Sequence, residues 1–425
     1  MDFNTYLLRL GIDPSSFSNE LIEPIKNDKG FIYEVHQKTD NRICPHCKSN
    51  NVIIHDHDIA QINCSETDHI KDILRIIKVR FKCKDCLKTF TPKINGIDRY
   101  SKISNQIRDM IIKDFVKPIT FTQIAKRYSL SIARIIQIFD EYIKFVPRKE
   151  LPIVMCIDEI SFKEELDQNY CCVLYDYDKR EIVDIIKNRK IAYLDEYFSK
   201  IKEKEKDTVR IFVSDMYDGY ATIRKRHFKK AIHIVDLFHV INQLTVSLNK
   251  LRVKVMNRQP HDSIYYQFMK DKWKLFICRK ENIPNKLYNR RKTNESYHYD
   301  DLVFNCLLLD NQLLTAYNTL QDLYHYKENF YTFQEAYNFI DHISKRLLLC
   351  DEESLQKVGI TYKKWIGEIA NGLSYNQRGR RYTNGIAESI NNQLKTIIKN
   401  AYGYHNFERF RRRAMMIITY KKDLG

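Results

Sequence analysis

The sequence predicts an α/β protein preceded by a small cysteine-bearing module and a helical hairpin. Three observations carry this. From residue 151 the pattern runs strand, strand, strand, helix, strand, helix, strand. Two CxxC pairs flank strand-like segments nearer the N-terminus, and residues 120–136 read as helix, tight turn, helix. Pattern divides the chain into a lead-in (1–40), the cysteine module (41–95), the helical hairpin (96–150), the strand-rich part (151–239), a helical stretch (240–375) and closing helices (376–425).

The five strands expected in the α/β part are LPIVMCIDEIS, NYCCVLYDYD, EIVDIIKN, TVRIFVSD and KAIHIVD. They are short and β-branched, with turn residues between them. Ala192 to Lys206 carries a helical period between the third and fourth. If the five form one sheet, the intervening helix allows a parallel crossover, and the first and fourth strands can lie side by side.

In the cysteine module, Cys44-Pro-His-Cys47 and Cys83-Lys-Asp-Cys86 are two knuckles. Zinc prefers four tetrahedral thiolates, and two knuckles supply them. The segments NVIIH and ILRIIKVRFKC suggest a ribbon with a hairpin inserted between the knuckles. Cys64, His46, His55, His57 and His69 are read as bystanders. No βαβ frame surrounds either knuckle, which disfavours a thioredoxin-like redox pair.

In the helical hairpin, Ile124 and Ala125 fall inside the first helix, Leu130 fills the turn, and Ile132, Ile135 and Ile136 continue an apolar stripe. Ser131 is the expected N-cap of the second helix. This is the sequence form of a helix-turn-helix, whose second helix would present Arg134 and Gln137 to a major groove. Many helical hairpins share the pattern, so its weight comes from context.

Charge supplies context. The chain has 425 residues, 44% of them apolar, enough for two to four folded domains. Lys and Arg number 71 against 54 Asp and Glu, a formal charge of +17 and a pI near 9.2. Such an excess suggests a polyanionic partner, most simply nucleic acid. No basic region followed by a long apolar stretch opens the chain, and no segment approaches the ~20 apolar residues that span a bilayer. The expectation is a cytoplasmic, nucleoid-associated protein without a membrane partner and with reduced cysteines.

Three acids stand where a metal-dependent nuclease would need them. Asp158 and Asp215 each end an apolar strand, where an ionised carboxylate is costly without a cation or hydrogen bonds. Glu388 lies on a helix whose Ile386, Ile390, Leu394 and Ile397 share an apolar face. Glu388, Asn391, Lys395 and Lys399 are read on the opposite, polar face. Singly, each acid reads as structural rather than catalytic. Trp273 is read as a core anchor rather than a base-stacking wedge.

The run TNGIAESINNQLKTIIKNAYGYHNFERFRRRAM resembles the DDE transposases of bacterial insertion sequences, of the ISL-three type, as do SDMYDGY and the following VDLFHVI. The two knuckles and the helix-turn-helix stand in the family's order, so the resemblance covers nearly the whole chain. It implies a ribonuclease-H-like catalytic core with a large helical insertion between the fifth strand and the last helices. It implies Asp158, Asp215 and Glu388 as the catalytic acids, holding two magnesium or manganese ions, with structural zinc on the four cysteines. Asp236 and His239 match a further family motif and are read as supporting residues. Asp236 competes with Asp215 for the second acidic role.

The implied reaction is two-metal phosphoryl transfer. Strands are cleaved at the terminal inverted repeats of an insertion sequence, and the freed 3′-hydroxyls join target DNA. The partners are double-stranded DNA and a second copy of the chain, as a homodimer or higher. The zinc ribbon and helix-turn-helix would read the repeats. Arg409, Arg411, Arg412 and Arg413 of the ERFRRR run, with Lys395 and Lys399, would hold phosphates. Two other classes share part of the pattern: a DNA-binding regulator that needs no acids, and a ribonuclease-H-like nuclease or resolvase that cuts without joining.

Overall fold

The computed structural model describes residues 3–18, 24–27, 30–40, 42–67, 70–99, 101–162, 170–289, 295–329, 331–377, 380–383, 385–401, 404 and 406–420. They form a mixed α/β protein of two compact units, one of residues 1–147 with 394–425, the other of residues 148–393.

The first unit begins with α1 (Phe3–Arg9), β1 (Ile25–Asn27), β2 (Gly30–His36), β3 (Val52–Thr67), β4 (Ile70–Cys83) and β5 (Thr89–Phe90). They make one sheet in the order β1-β2-β4-β3, with β5 also on β4. β3 and β4 are the long antiparallel hairpin between the knuckles, rich in the β-branched residues that suit a pleated surface. The segment read as a lead-in supplies β1 and β2, and β2 pairs in parallel with β4. Leu7, Ile12 and Phe17 bury themselves with Val35, Leu74 and Ile76.

Next come α2 (Asn105–Asp114), α3 (Phe121–Arg127) and α4 (Ile132–Tyr142). Thr120 and Gln123 close a capping box at the start of α3, with bonds of 3.0 and 2.8 Å. Ser131 caps α4 as expected, accepting the Arg134 N–H at 3.2 Å. The apolar stripe of α4 is rotated from its expected position. Ile135, Ile138 and Phe139 are buried, while Ile132 is 45% exposed. The Phe139 ring meets Phe115 edge-on at 5.0 Å, and this contact sets which face of α4 turns inward.

The second unit carries β6 (Val154–Ser161), β7 (Tyr170–Asp176), β8 (Glu181–Ile186), α5 (Ile191–Ser199), α6 (Glu203–Lys206), β9 (Ile211–Ser214), α7 (Asp218–His227) and β10 (Ile232–Val235). The five strands form one sheet in the order β10-β9-β6-β7-β8. β6, β7 and β8 are antiparallel neighbours. β9 and β10 run parallel to β6. The single helix expected over 192–206 is two, α5 and α6.

Helices follow: α8 (Leu237–Asn257), α9 (Ile264–Asp271), α10 (Tyr299–Leu307), α11 (Asn311–Glu328), α12 (Phe333–Leu348), α13 (Glu353–Lys364) and α14 (Ile366–Ser374). They share a core that begins at Val235 and Leu237, so the helical stretch is anchored where β10 ends. A Cβ on Gly372 would stand 2.6 Å from the Val235 carbonyl oxygen, so α14 reaches β10 only because that position has no side chain. Asn371 secures the approach by donating to the His233 carbonyl at 2.8 Å. Trp273, expected as a core anchor, is 38% exposed in a short 3-10 turn, because Phe268 and Phe276 fill the core beside it.

The chain ends with α15 (Gly385–Asn400) and α16 (Phe407–Ile418). α15 contributes to the second unit as far as Gln393, and α16 belongs to the first unit. Among the described residues no helix is long and apolar enough to cross a membrane.

Candidate active site

Strand register brings three acids level. Cys156 pairs with Val213, and Val213 with Ile234. Two residues further along each strand stand Asp158, Asp215 and Asp236. A step of two keeps a side chain on the same sheet face, so the three share one face of adjacent parallel strands. Asp215 and Asp236 directly follow β9 and β10, whereas Asp158, expected to end its strand, lies inside β6, which pairs with β7 as far as Ser161.

The three carboxylates differ in their partners. Asp236 is 2% exposed and caps α8, accepting the Phe238 N–H at 3.2 Å. Asp158 Oδ1 accepts the Glu159 N–H at 2.8 Å, and its Oδ2 accepts from the side-chain amide of Asn391 at 2.9 Å. Asp215 Oδ1 is buried with no hydrogen-bond partner among the described residues.

Electrostatics bind Asp158 and Asp215 into one cluster. Burial pushes the Asp158 carboxyl up to about 6, and the neighbouring Asp215 charge adds to the rise. Burial also raises Asp215, and Glu159 pushes in the same direction. His239, in the first turn of α8, opposes the rise at both acids. The His239 side chain is half-buried. An anionic oxygen that is buried and unpaired is costly unless a cation meets it. Asp215 Oδ1 is such an atom, and the oxygen donors around it suit a hard divalent cation.

Two neighbouring groups were not singled out in the sequence. Ser214 donates to the Asp215 carbonyl at 2.8 Å and meets His233 Nε2 at 2.8 Å. With its one proton on that carbonyl, Ser214 accepts from His233 Nε2–H. Burial drives His233 down to about 3, so the ring is neutral and serves as a fixed strut beneath Asp215. On the outer side, Arg189 pairs with Glu159 at 2.5 Å. Its guanidinium lies over the Tyr170 and Tyr217 rings at 4.7 and 5.1 Å, and it draws the Asp215 carboxyl down.

Glu388 is exposed in the first turn of α15. One turn later, Asn391 departs from expectation. The sequence puts it on the polar face, yet it is 5% exposed, because Ala387, Asn391 and Leu394 share the inward side with Ile390. The Tyr175 hydroxyl, itself buried, donates to Asn391 Oδ1. The spacing of Ala387 to Leu394 was the available signal for the buried position. Nothing in the sequence marked the strand-side partners.

A family model for the DDE transposases of the ISL-three type, described as transposase, matches residues 155–414, more than half of the chain. The chain belongs to this family. The transposase match holds Asp158, Asp215, Asp236, His239, Glu388 and Asn391, and it confirms the resemblance stated from the sequence. The chain is also 31% identical over 117 residues to an ATP-dependent protease of Lactococcus lactis subsp. lactis. That alignment covers 27% of the chain and spans only 34% of the length of that relative.

In the transposase's first unit the four thiols of Cys44, Cys47, Cys83 and Cys86 lie within 4.8 Å of one another. Cys44 and Cys86 sulfurs are 3.6 Å apart, and those of Cys47 and Cys83 are 3.5 Å apart. Tetrahedral zinc with Zn–S near 2.3 Å needs separations of about 3.8 Å. The two knuckles are also near copies. Lys48 and Leu87, each following the second cysteine, both have φ of 63°. The Cys44 and Cys83 N–H groups each bond the carbonyl five residues on, of Ser49 and Lys88, at 2.9 and 3.0 Å. The set fits zinc. His46, His55 and His57 stand outside it; the Cys64 side chain and His69 lie outside the described residues.

Of the residues expected to contact DNA, Gln137, Lys395 and Lys399 are exposed and Arg134 is half-buried. Gln137 donates to Glu141 at 2.7 Å. Within the arginine run of α16, Arg413 is a correction. Arg413 is 1% exposed, donates to the Lys117 and Ile119 carbonyls at 3.0 and 2.6 Å, and lies over the Phe115 and Phe121 rings. Burial pulls it down to about 10, and it is out of reach of a phosphate. Arg409 and Arg412 clamp Asp140 of α4 at 2.6 and 2.7 Å, and Arg411 donates to the Val146 carbonyl at 2.9 Å. These donors hold α16 onto α4 and the segments that follow α2 and α4. The spacing of Phe407, Phe410 and Ala414, all buried, was the signal that Arg413 faces inward.

Proposed function

We propose that this chain cleaves DNA strands at the terminal inverted repeats of an insertion sequence and joins the freed ends to target DNA. The observation that carries the reading is that Asp158 and Asp215 each stand two residues beyond the Cys156–Val213 register pair of two parallel strands, with Asp215 Oδ1 buried and unpartnered among the described residues. The order β8-β7-β6-β9-β10, antiparallel and then parallel, supports a ribonuclease-H-like core.

Asp158, Asp215 and Glu388 would hold magnesium or manganese, two ions per site. When bound, these cations activate the attacking hydroxyl and stabilise the departing 3′-oxygen. Asp236 anchors α8 at the level of the pair, and through that helix holds His239 toward both acids. In the first step water attacks the phosphorus at the element's end, and the bond to the 3′-oxygen breaks, leaving a 3′-hydroxyl. In the second, that hydroxyl attacks a target phosphodiester and displaces the target's own 3′-hydroxyl. Each step exchanges one P–O bond for another, so no protein nucleophile is needed.

The exposed face of α4, with Gln137, and the α15 lysines Lys395 and Lys399 are the proposed DNA contacts. Two ends are paired by at least two copies of the chain. The test uses full-length protein, a labelled duplex carrying the inverted repeats that flank its gene, magnesium and a target plasmid. Cleaved 3′-ends and joined product are expected, and Asp158→Ala should bind the repeats and leave them uncut. Cut ends that never join would replace this reading with a nuclease. Intact DNA with wild-type protein would leave a regulator.

A further inference from the structure

We propose that Asn391 is a positioning residue: its amide fixes the Asp158 carboxylate for cation binding and ties it to the helix that presents Glu388. This rests on the proposed role of Asp158 as a metal ligand.

The geometry is a chain of three buried or half-buried groups. Tyr175, on β7, donates its hydroxyl to Asn391 Oδ1. An ionised carboxylate only accepts, so the amide nitrogen must face Asp158, and Oδ1 is left to accept from the Tyr175 hydroxyl. Asn391 Nδ2 then donates to Asp158 Oδ2 at 2.9 Å, while the Glu159 backbone holds Oδ1. Each carboxylate oxygen has one acceptor site filled and another free. The carboxylate cannot swing, and both oxygens remain open to a cation.

An amide suits this task better than a charged donor. A lysine or arginine at the position would neutralise Asp158 and compete with the cation. A neutral amide orients the carboxylate and leaves its charge intact. The amide also acts through α15. Glu388 precedes Asn391 by one turn, a rise of about 4.5 Å along the helix axis. Fixing Asn391 against Asp158 therefore sets where α15 begins relative to the strand ends.

The experiment compares wild type, Asn391→Ala, Tyr175→Phe and Asp158→Ala as zinc-loaded full chains. It measures Mn²⁺ binding by electron paramagnetic resonance without DNA, the Mg²⁺ concentration for half-maximal cleavage, and Tm. Loss of an orienting partner typically costs roughly 10–100-fold in metal affinity. Asn391→Ala should weaken Mn²⁺ binding within that range and raise the Mg²⁺ requirement in parallel. Tyr175→Phe, which keeps the ring in the core, should move both in the same direction by less. A purely structural role would lower Tm and the active fraction while leaving both metal dependences at wild-type values, and that result overturns the proposal. If Asn391→Ala does not fold, unchanged metal dependence in Tyr175→Phe overturns it equally. If Asp158→Ala binds Mn²⁺ as wild type does, the reading of Asp158 as a ligand fails and the positioning role falls with it. If Asp158→Ala loses Mn²⁺ while Asn391→Ala keeps it, the positioning role alone fails.

Discussion

Asp158 is held in the fold at a cost. Its carboxyl is raised from an ordinary 3.8 to about 6, chiefly by burial. A carboxyl raised by folding supports stability fully below its unfolded value and loses that support as pH rises through its folded value. The loss therefore builds between about pH 4 and pH 6, and two units correspond to at most about 3 kcal/mol. Asp158→Asn removes the charge while forfeiting about one hydrogen bond, worth ~1 kcal/mol. In zinc-loaded, magnesium-free buffer this variant should melt above wild type at pH 8 and lose most of that advantage at pH 5. Calorimetry at the two pH values checks it; a wild type more stable at pH 8 would show that the protein itself compensates the charge. The residue scale has a second test in the thiol cluster. Cys83→Ser should bring zinc content, measured by mass spectrometry of the native protein, well below one per chain. The same variant should loosen both knuckles, because each contributes one sulfur to each close pair.

At the scale of elements, the strands and the helix caps were legible because they rest on local rules. Five apolar, β-branched runs became five strands, and Ser131 became a cap because its hydroxyl is three residues from a free N–H. The facing of helices was less legible, since it depends on partners distant in sequence. Phe115 turned α4, and Tyr175 with Asp158 drew Asn391 inward from what read as a polar face. The arginines of α16 show the same limit. Charge suggested phosphate, whereas the aromatic pair Phe115 and Phe121 and two carbonyls claim Arg413. The close approach of α14 to β10 offers an element-level test. Gly372→Ala places a methyl 2.6 Å from a backbone oxygen, and backbone cannot step aside as a side chain would. The expected cost is about 1–3 kcal/mol, as for overpacking in a core, read as a lower Tm. Because α14 borders the strand that ends at Asp236, cleavage should fall as well. An unchanged Tm would mean that α14 does not press on β10.

For the whole molecule, chain order and structural units disagree, and the disagreement has a physical cause. Residues 394–425 follow the helical stretch in sequence yet form one compact unit with residues 1–147. The link is specific: Asp140 of α4 takes both Arg409 and Arg412, which hold its carboxyl down against the upward push of burial. Arg413 fills the space between Phe115 and Phe121 while satisfying the carbonyls just beyond α2. A helix-turn-helix cut out as residues 96–150 would expose those rings and leave Asp140 and the two carbonyls to water. Exposing one large aromatic side chain costs roughly 1.5–3 kcal/mol, a large share of the stability of a small domain. A fragment of residues 1–147 should therefore melt lower than the same fragment joined through a flexible linker to residues 394–420, and should bind the inverted repeats more weakly. Arg413→Met in the joined fragment separates packing from charge. It keeps an apolar stem over the rings but abandons the carbonyls, so its Tm should fall between the two. Equal Tm values with and without residues 394–420 would mean that the helix-turn-helix stands alone and that α16 merely rests on it.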